Sequence, residues 1–418
     1  MRKQLLVACV LSLACVSQST AADVKFGGQM FAQYGIVGSK RNSGASEAKG
    51  AAAFDVSRLA ITAEAKLDEH WNGKATIEGQ TTGTAPTSAA APVAGNEPAM
   101  LAQAGQNAVY LKQAWIGYAN LLDKGVNIQL GQIPHIWYGT DEGIWGRRYV
   151  ARTQTEQEGY ISAWDKGVSV MGGLPMGYGT LGVEYMNGEG TRAGEPGTAS
   201  AATANTNATT AGQLQRGKDV VFRLTLVPVP QNDMLKGFQL HAVAQKGSVA
   251  PTAYVTVANQ GGALPSDRRR DRTIGAVSFK NDYGHLMYSY FYAYTGSATT
   301  DFTYNKSQGY SLHGSANLGK VVPMLAGVSL FARHDRSETG ARARPTNGLS
   351  YVTQQTAYLP STFTVAGIEK VFNPNVKFAL DVQNLKTCSA SSPNPSQPSQ
   401  TITINREVKY YVHAELKF

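Results

Sequence analysis

The sequence predicts an all-β protein: a transmembrane antiparallel β-barrel of about 16 strands, with its third long loop folded into the lumen. Three observations carry that prediction. Apolar and polar residues alternate with period 2 from Val24 to Phe418. The connections between the alternating stretches are short and long by turns. The chain begins like an export signal, yet no later apolar run reaches the roughly 18 residues of a membrane helix.

Residues 1–22 read as that signal. Arg2 and Lys3 precede the apolar run Leu5 to Val16, and Ser19, Thr20, Ala21 and Ala22 form a small-residue cleavage site. Cutting falls after Ala21 or Ala22. Cys9 and Cys15 then leave with the signal, so Cys388 stands alone and no internal disulfide is expected. The length of 418 residues would allow two or three soluble domains, but the charged share is only 16%, with 44 glycines and 20 tyrosines. Residues 23–418 are therefore expected to form one barrel domain. The net charge of +9 includes Arg2 and Lys3; without them it is +7, a mild basic excess that selects no partner.

The strands follow in order. Val24, Phe26, Gly28, Met30, Ala32, Tyr34 and Ile36 share one face of the first, with Lys25, Gln29 and Gln33 on the other. Leu59, Ile61, Ala63 and Ala65 alternate with Arg58, Thr62, Glu64 and Lys66; Ala75 and Ile77 alternate with Lys74, Thr76 and Glu78. Val220, Phe222 and Leu224 alternate with Arg223 and Thr225, and Leu240, Ala242 and Ala244 with His241 and Gln245. Tyr288, Tyr290, Tyr292 and Tyr294 share a face that pattern alone leaves unassigned. The last stretch places Val408, Tyr410, Val412, Ala414, Leu416 and Phe418 opposite Glu407, Lys409, Tyr411, His413, Glu415 and Lys417. A face so polar is no packed core. The apolar face must therefore pack on another layer, as in a soluble sheet, or meet lipid.

Loop lengths decide between these. Seven short connections (68–70, 121–125, 172–177, 228–236, 282–284, 319–324 and 373–375) alternate with eight long ones (38–51, 81–107, 134–161, 189–217, 248–272, 297–306, 338–360 and 388–401). All short turns then lie on one side and all long loops on the other. A closed barrel requires that parity, because lipid tolerates no open sheet edge. The Ala/Thr/Asn-rich stretch 198–212 and the Ser/Pro/Gln-rich stretch 389–400 read as surface loops.

Several motifs are weighed against chemistry. Gly177-Tyr178-Gly179-Thr180-Leu181-Gly182 spells G-x-G-x-x-G, but a strand follows it where a dinucleotide site needs a helix. The seven histidines lack metal-ligand spacing, and Ser311 with His313 reads as two lumen-facing polar residues rather than a catalytic pair. Arg268-Arg269-Arg270-Asp271-Arg272 reads as a solvated charge run at the end of a long loop, with lipopolysaccharide phosphate as the alternative partner. The third long loop stands apart. It carries Trp137, Tyr138, Trp145 and Tyr149, and its charges come in blocks: Asp141 and Glu142, then Arg147, Arg148 and Arg152, then Glu156 and Glu158. Folded into the lumen, it would set opposed charges across the path; stacked outside on its neighbours, it would not.

The run V-Y-L-K-Q-A-W-I-G-Y-A-N-L-L-D-K-G-V-N-I-Q-L-G from Val109 to Gly131, with Gln132-Ile133-Pro134 after it, resembles the phosphate-selective porin O and P family. So does F-D-V-S-R-L-A-I-T-A-E-A-K-L from Phe54 to Leu67. The likeness extends to about residue 190. It implies a sixteen-stranded trimeric porin with the third loop inside. The family's phosphate channels look lysine-rich along the pore, whereas this third loop has no lysine and four acids against three arginines. That departure argues against phosphate specificity.

The expectation is an outer-membrane porin of a Gram-negative bacterium: no enzyme, without cofactor, metal or nucleic-acid partner, passing small hydrophilic solutes and ions. Its partners would be outer-membrane lipid, lipopolysaccharide and two further copies in a homotrimer. Asp141, Glu142, Arg147, Arg148 and Arg152 would face Arg58 and Lys74 at the pore constriction. An anion- or phosphate-selective uptake channel and a sheath for an electron-transfer partner are the alternatives. A weak anion preference is expected from Arg147, Arg148 and Arg152.

Overall fold

The computed structural model describes residues 23–41, 50–81, 107–121, 125–188, 218–248, 269–296, 303–343, 359–390 and 402–418. The expected signal at 1–22, the stretch 198–212 and most of 389–400 lie outside these residues.

Sixteen strands form one closed antiparallel barrel in which every strand pairs with its sequence neighbours and β1 closes on β16. They are β1 (Asp23–Arg41), β2 (Ala52–Lys66), β3 (Trp71–Thr81), β4 (Asn107–Leu121), β5 (Val126–Pro134), β6 (Trp164–Gly173), β7 (Gly179–Met186) and β8 (Asp219–Leu226). Then come β9 (Phe238–Ser248), β10 (Arg269–Asn281), β11 (Gly284–Gly296), β12 (Thr303–Asn317), β13 (Val328–Ala343), β14 (Leu359–Asn373), β15 (Val376–Ala390) and β16 (Ile402–Lys417). Closure runs from Gln29↔Lys417 to Arg41↔Arg406. The Phe418 amide and carbonyl exchange hydrogen bonds with Gly28 across the seam, at 3.1 and 2.7 Å. No helix among the described residues is long and apolar enough to cross a membrane; the strands carry the apolar surface instead.

Alternation sorts that surface. Leu130, Phe222, Leu286, Leu380 and Val412 are exposed on the outside, while Arg58, Glu78, Ser289, His413 and Glu415 are buried on the inside. Tyr288 and Tyr290 point out, because their neighbours Met287, Ser289 and Phe291 fill the interior. Exposed aromatics gather near the short-turn rim at Phe26, Trp71, Tyr178, Tyr283, Phe372 and Phe418, and higher up at Phe54, Tyr185, Tyr290 and Tyr410. From Tyr410 to Phe418 is roughly 25 Å along the strand at 3.3 Å per residue. Two aromatic girdles flanking an apolar band of that order are what a bilayer's interfaces select.

The G-x-G-x-x-G run resolves into a turn and a strand. Pro175–Gly177 is a single 3-10 turn, and β7 starts at Gly179. Gly179 has φ +137, and a Cβ there would lie 1.9 Å from the Thr225 carbonyl oxygen, so only glycine fits. The basic run belongs largely to β10: Arg270 pairs with Asp219 at 2.7 Å, Arg272 is buried, and Asp271 pairs with Lys246 at 2.9 Å. It is ladder and wall rather than the free loop charge expected.

Candidate functional site: the third loop and the charged wall around it

The loop between β5 and β6 folds into two helices, α1 (Ile136–Trp145) and α2 (Gln154–Gln157). The His135 side chain caps the start of α1 by accepting from the Trp137 amide at 3.1 Å. Gly146 ends it in the left-handed region at φ 66, its amide donating to the Glu142 carbonyl.

This segment packs against the inward face of strands far from its own. Two apolar clusters do most of that work. Ile136, Trp137, Tyr138, Ile144 and Trp164 pack with Val221 of β8, Val243 of β9, Ile274 of β10 and Phe291 of β11. Trp145, Tyr149 and Val150 pack with Phe31 of β1, Phe331 of β13, and Phe363 and Val365 of β14. Inward-facing apolar residues would be costly in a barrel holding only water; here the loop removes them from it. Polar ties add direction. Arg223 donates to the Ile136 carbonyl at 2.7 Å, Arg272 to the Tyr160 carbonyl at 2.8 Å, and Gln154 to the Arg336 carbonyl at 3.0 Å.

Most of the loop's charges are buried, and Arg147, Arg148, Glu142 and Glu156 are paired. Arg147 reaches β13 and β14, donating to Glu369 at 2.9 Å and Ser329 at 3.0 Å, and the Tyr149 hydroxyl donates to the other Glu369 oxygen. Arg148 holds Glu142 at 3.1 Å and grips both oxygens of Glu156, with its guanidinium over the Tyr138 and Trp164 rings. Burial pushes the Glu142 carboxyl up. Glu156 suffers the same burial, but its closer pairing with Arg148, with Arg152 beside it, brings it below the usual range. Asp141 accepts from the Thr155 hydroxyl at 3.1 Å and lies 3.9 Å from His313. Burial pushes its carboxyl up to about 7.

That shift has a sign. A carboxyl raised above its unfolded value is undisturbed at low pH, where both states are protonated, and becomes a burden as pH rises from about 4 through 7. The folded protein should therefore lose stability over that window. Asp141→Asn should flatten the trend and raise the melting temperature at pH 8, read from thermal melts of detergent-solubilised protein across pH 5–8. A variant with the parent's pH slope would contradict it.

Of the predicted residues, Asp141, Glu142, Arg147 and Arg148 are brought together within the loop, and Arg152 lies at its edge. Arg58 joins them from β2: its Nε is 3.2 Å from Glu78 Oε1. Lys74 does not. It pairs with Glu64 at 2.7 Å near the β2–β3 turn, six positions below Gln80, the partner of Arg58, or roughly 20 Å along the strand. Strand parity placed Lys74 on the right face, but the wrong height. Arg147 and Arg148 also differ from expectation: each is neutralised by a buried carboxylate, so they make no open positive patch. Arg152, with 43% of its side chain exposed, is the solvent-facing one of the three.

Sequence reasoning missed Lys112 and Glu369. In β4 a bulge opposite Thr76–Ile77 turns both Lys112 and Gln113 inward. Lys112 then meets Glu78 at 2.7 Å and lies over Trp164 at 4.5 Å. The Gln132 amide of β5 ties down the bulge by donating to the Leu111 and Lys112 carbonyls at 2.7 and 2.9 Å. Ser311 and His313 do not bond each other: Ser311 donates to Asp335 at 2.6 Å and His313 meets His285 at 3.2 Å. Among the described residues no His/Cys/Asp/Glu group is placed to hold a metal.

No protein-family model and no curated protein matches the chain. Solved structures do. OprB of Pseudomonas putida, in a high-pH structure, superposes with a TM-score of 0.54 at 10% identity, covering 94% of each chain. An anion-selective porin from Comamonas acidovorans gives 0.52 at 11% identity, over 95% of this chain and 100% of that one. The outer membrane channel DcaP of Acinetobacter baumannii gives 0.52 at 9%, over 96% and 99%. This is the fold of the outer-membrane porins. At such identities the likeness speaks for the porin fold alone, and the resemblance to the phosphate-selective family rests on the two motif runs only.

Proposed function

We propose that the protein is an outer-membrane porin through which small hydrophilic solutes and ions diffuse passively, narrowed by the third loop. One observation carries the reading: a barrel apolar outside and polar inside, whose third loop packs by aromatics and ion pairs on the inward face of the opposite wall. The girdles supply the membrane seat, and the signal-like residues 1–22 supply export to a Gram-negative outer membrane, where lipid and lipopolysaccharide surround it. Assembly as a homotrimer and kinship with the phosphate-selective family belong to the same reading. It performs no chemistry on its solutes. A sheath for an electron-transfer protein would need a lumen free of such a loop. Proteoliposomes should swell in isosmotic neutral solutes, fastest for the smallest; vesicles that do not swell although the barrel is folded would overturn the reading.

Selectivity follows from the pairing. Arg58, Lys112 and Arg148 are balanced by Glu78, Glu142 and Glu156, so the exposed Arg152, only 4.0 Å from the already shared Glu156, is the cation that faces the path. Field focusing by low-dielectric walls makes that position count. A weak anion preference is expected. Arg152→Gln should move the zero-current potential in a KCl gradient toward cations. The shift should shrink with salt, as the Debye length falls from about 10 Å at 0.1 M to about 3 Å at 1 M. An unchanged potential at low salt would remove Arg152 from the path.

A further inference from the structure

Toward the short-turn end, the inner wall of β1 to β6 holds a cavity of about 580 Å³. Small-molecule sites run about 300–1,000 Å³. Trp115 lines it, and Trp71 borders it at the rim. Trp137 and Trp145 are fully buried and Trp164 nearly so, whereas Trp115 is half-buried and lines the cavity. Its ring lies back over Gly117: a Cβ there would stand 3.1 Å from Trp115 Cζ3 and 2.8 Å from Asn72 Oδ1. Glycine at 117 thus makes the room that lets the indole lie against the wall. Trp115 Nε1 donates to Gln113 Oε1 at 3.4 Å, and Gln113 Nε2 donates to Thr76 Oγ1 at 3.0 Å, fixing the edge of the ring. The amides of Asn72, Asn127 and Gln129 border it.

Charge does not favour an anion here. The cavity is lined by three lysines and four carboxylates, and Lys74 is already paired with Glu64 at 2.7 Å. A flat apolar plate bordered by amides, a hydroxyl and carboxylates, with no cationic excess, matches a neutral molecule with C–H faces and hydroxyl edges. We propose that Trp115, backed by Gly117, is a stacking subsite for a neutral sugar ring on its way through the lumen. This rests on the porin reading and adds a solute class to it.

The test uses the full-length protein purified in detergent, with maltose and sodium sulfate as probes. Maltose should quench tryptophan fluorescence saturably and, in planar bilayers, reduce the ion current over the same concentrations; sulfate should do neither. Losing the stacking face should raise the half-effect concentration about fivefold in Trp115→Ala, since an aromatic contact is worth about 1 kcal/mol and 1.4 kcal/mol is a factor of ten. Gly117→Ala should weaken maltose with the tryptophan still present, which mere loss of a fluorophore would not do, and Trp115→Phe should fall between. Maltose acting equally on Trp115→Ala, or sulfate acting where maltose does not, overturns the subsite. Current without maltose binding overturns the subsite alone; maltose binding without any current overturns the porin reading and leaves the subsite standing.

Discussion

Deleting Trp137 to Arg148 will raise the single-channel conductance several-fold. Those residues include Trp137, Tyr138, Ile144 and Trp145, which are buried against strands of the opposite wall. Removing them empties the interior beside Arg58, Glu78 and Lys112. The deletion also exposes Val221, Val243, Ile274 and Phe291 to water, each worth about 1.5–3 kcal/mol when fully buried, so the melting temperature will fall. The barrel itself should survive, because its sixteen strand pairings do not involve the loop. A β-rich circular dichroism spectrum and heat-modifiable migration on a detergent gel will establish that. Unchanged conductance in a folded deletion variant would place the loop outside the conducting path.

Glu369→Ala will loosen the same loop through one atom group. It leaves the Arg147 guanidinium buried without its anion and the Tyr149 hydroxyl without its acceptor. Removing one partner of a buried ion pair costs about 3–5 kcal/mol. Because Arg147 belongs to the loop and Glu369 to β14, that cost should appear as undocking rather than barrel unfolding. Open-channel noise should rise, and protease should cut within 135–163 in folded protein. Arg147→Met combined with Glu369→Ala should recover most of the docking, since no unpaired charge remains. Equal protease resistance in the single variant and the parent would show that the pair does not hold the loop.

The barrel was legible because its determinants are local. Alternation in β1, β2, β8, β9 and β16 reads through to lipid and lumen, while the tyrosine face of β11 was assigned only by the structure. The site was legible only in part, because it is assembled from distant pieces. Arg147 stands out as a cation in an aromatic loop, but its counter-ion lies 222 residues away, and no spacing announces it. Lys112 was hidden by the bulge: strict alternation puts it on the face opposite Trp115, and only the extra residue in β4 turns both inward. Lys74 failed on height, since period 2 fixes the face of a residue but not its depth along the barrel axis. Val221 and Ile274 sit on the polar face, and only the loop explains them.

The central claim is a wet passage through this barrel, and planar-bilayer recording of the purified protein in 1 M KCl tests it most directly. The account predicts discrete, uniform upward current steps that persist as open channels. A folded, inserted protein that yields no steps, and none after the 137–148 deletion, would contradict it.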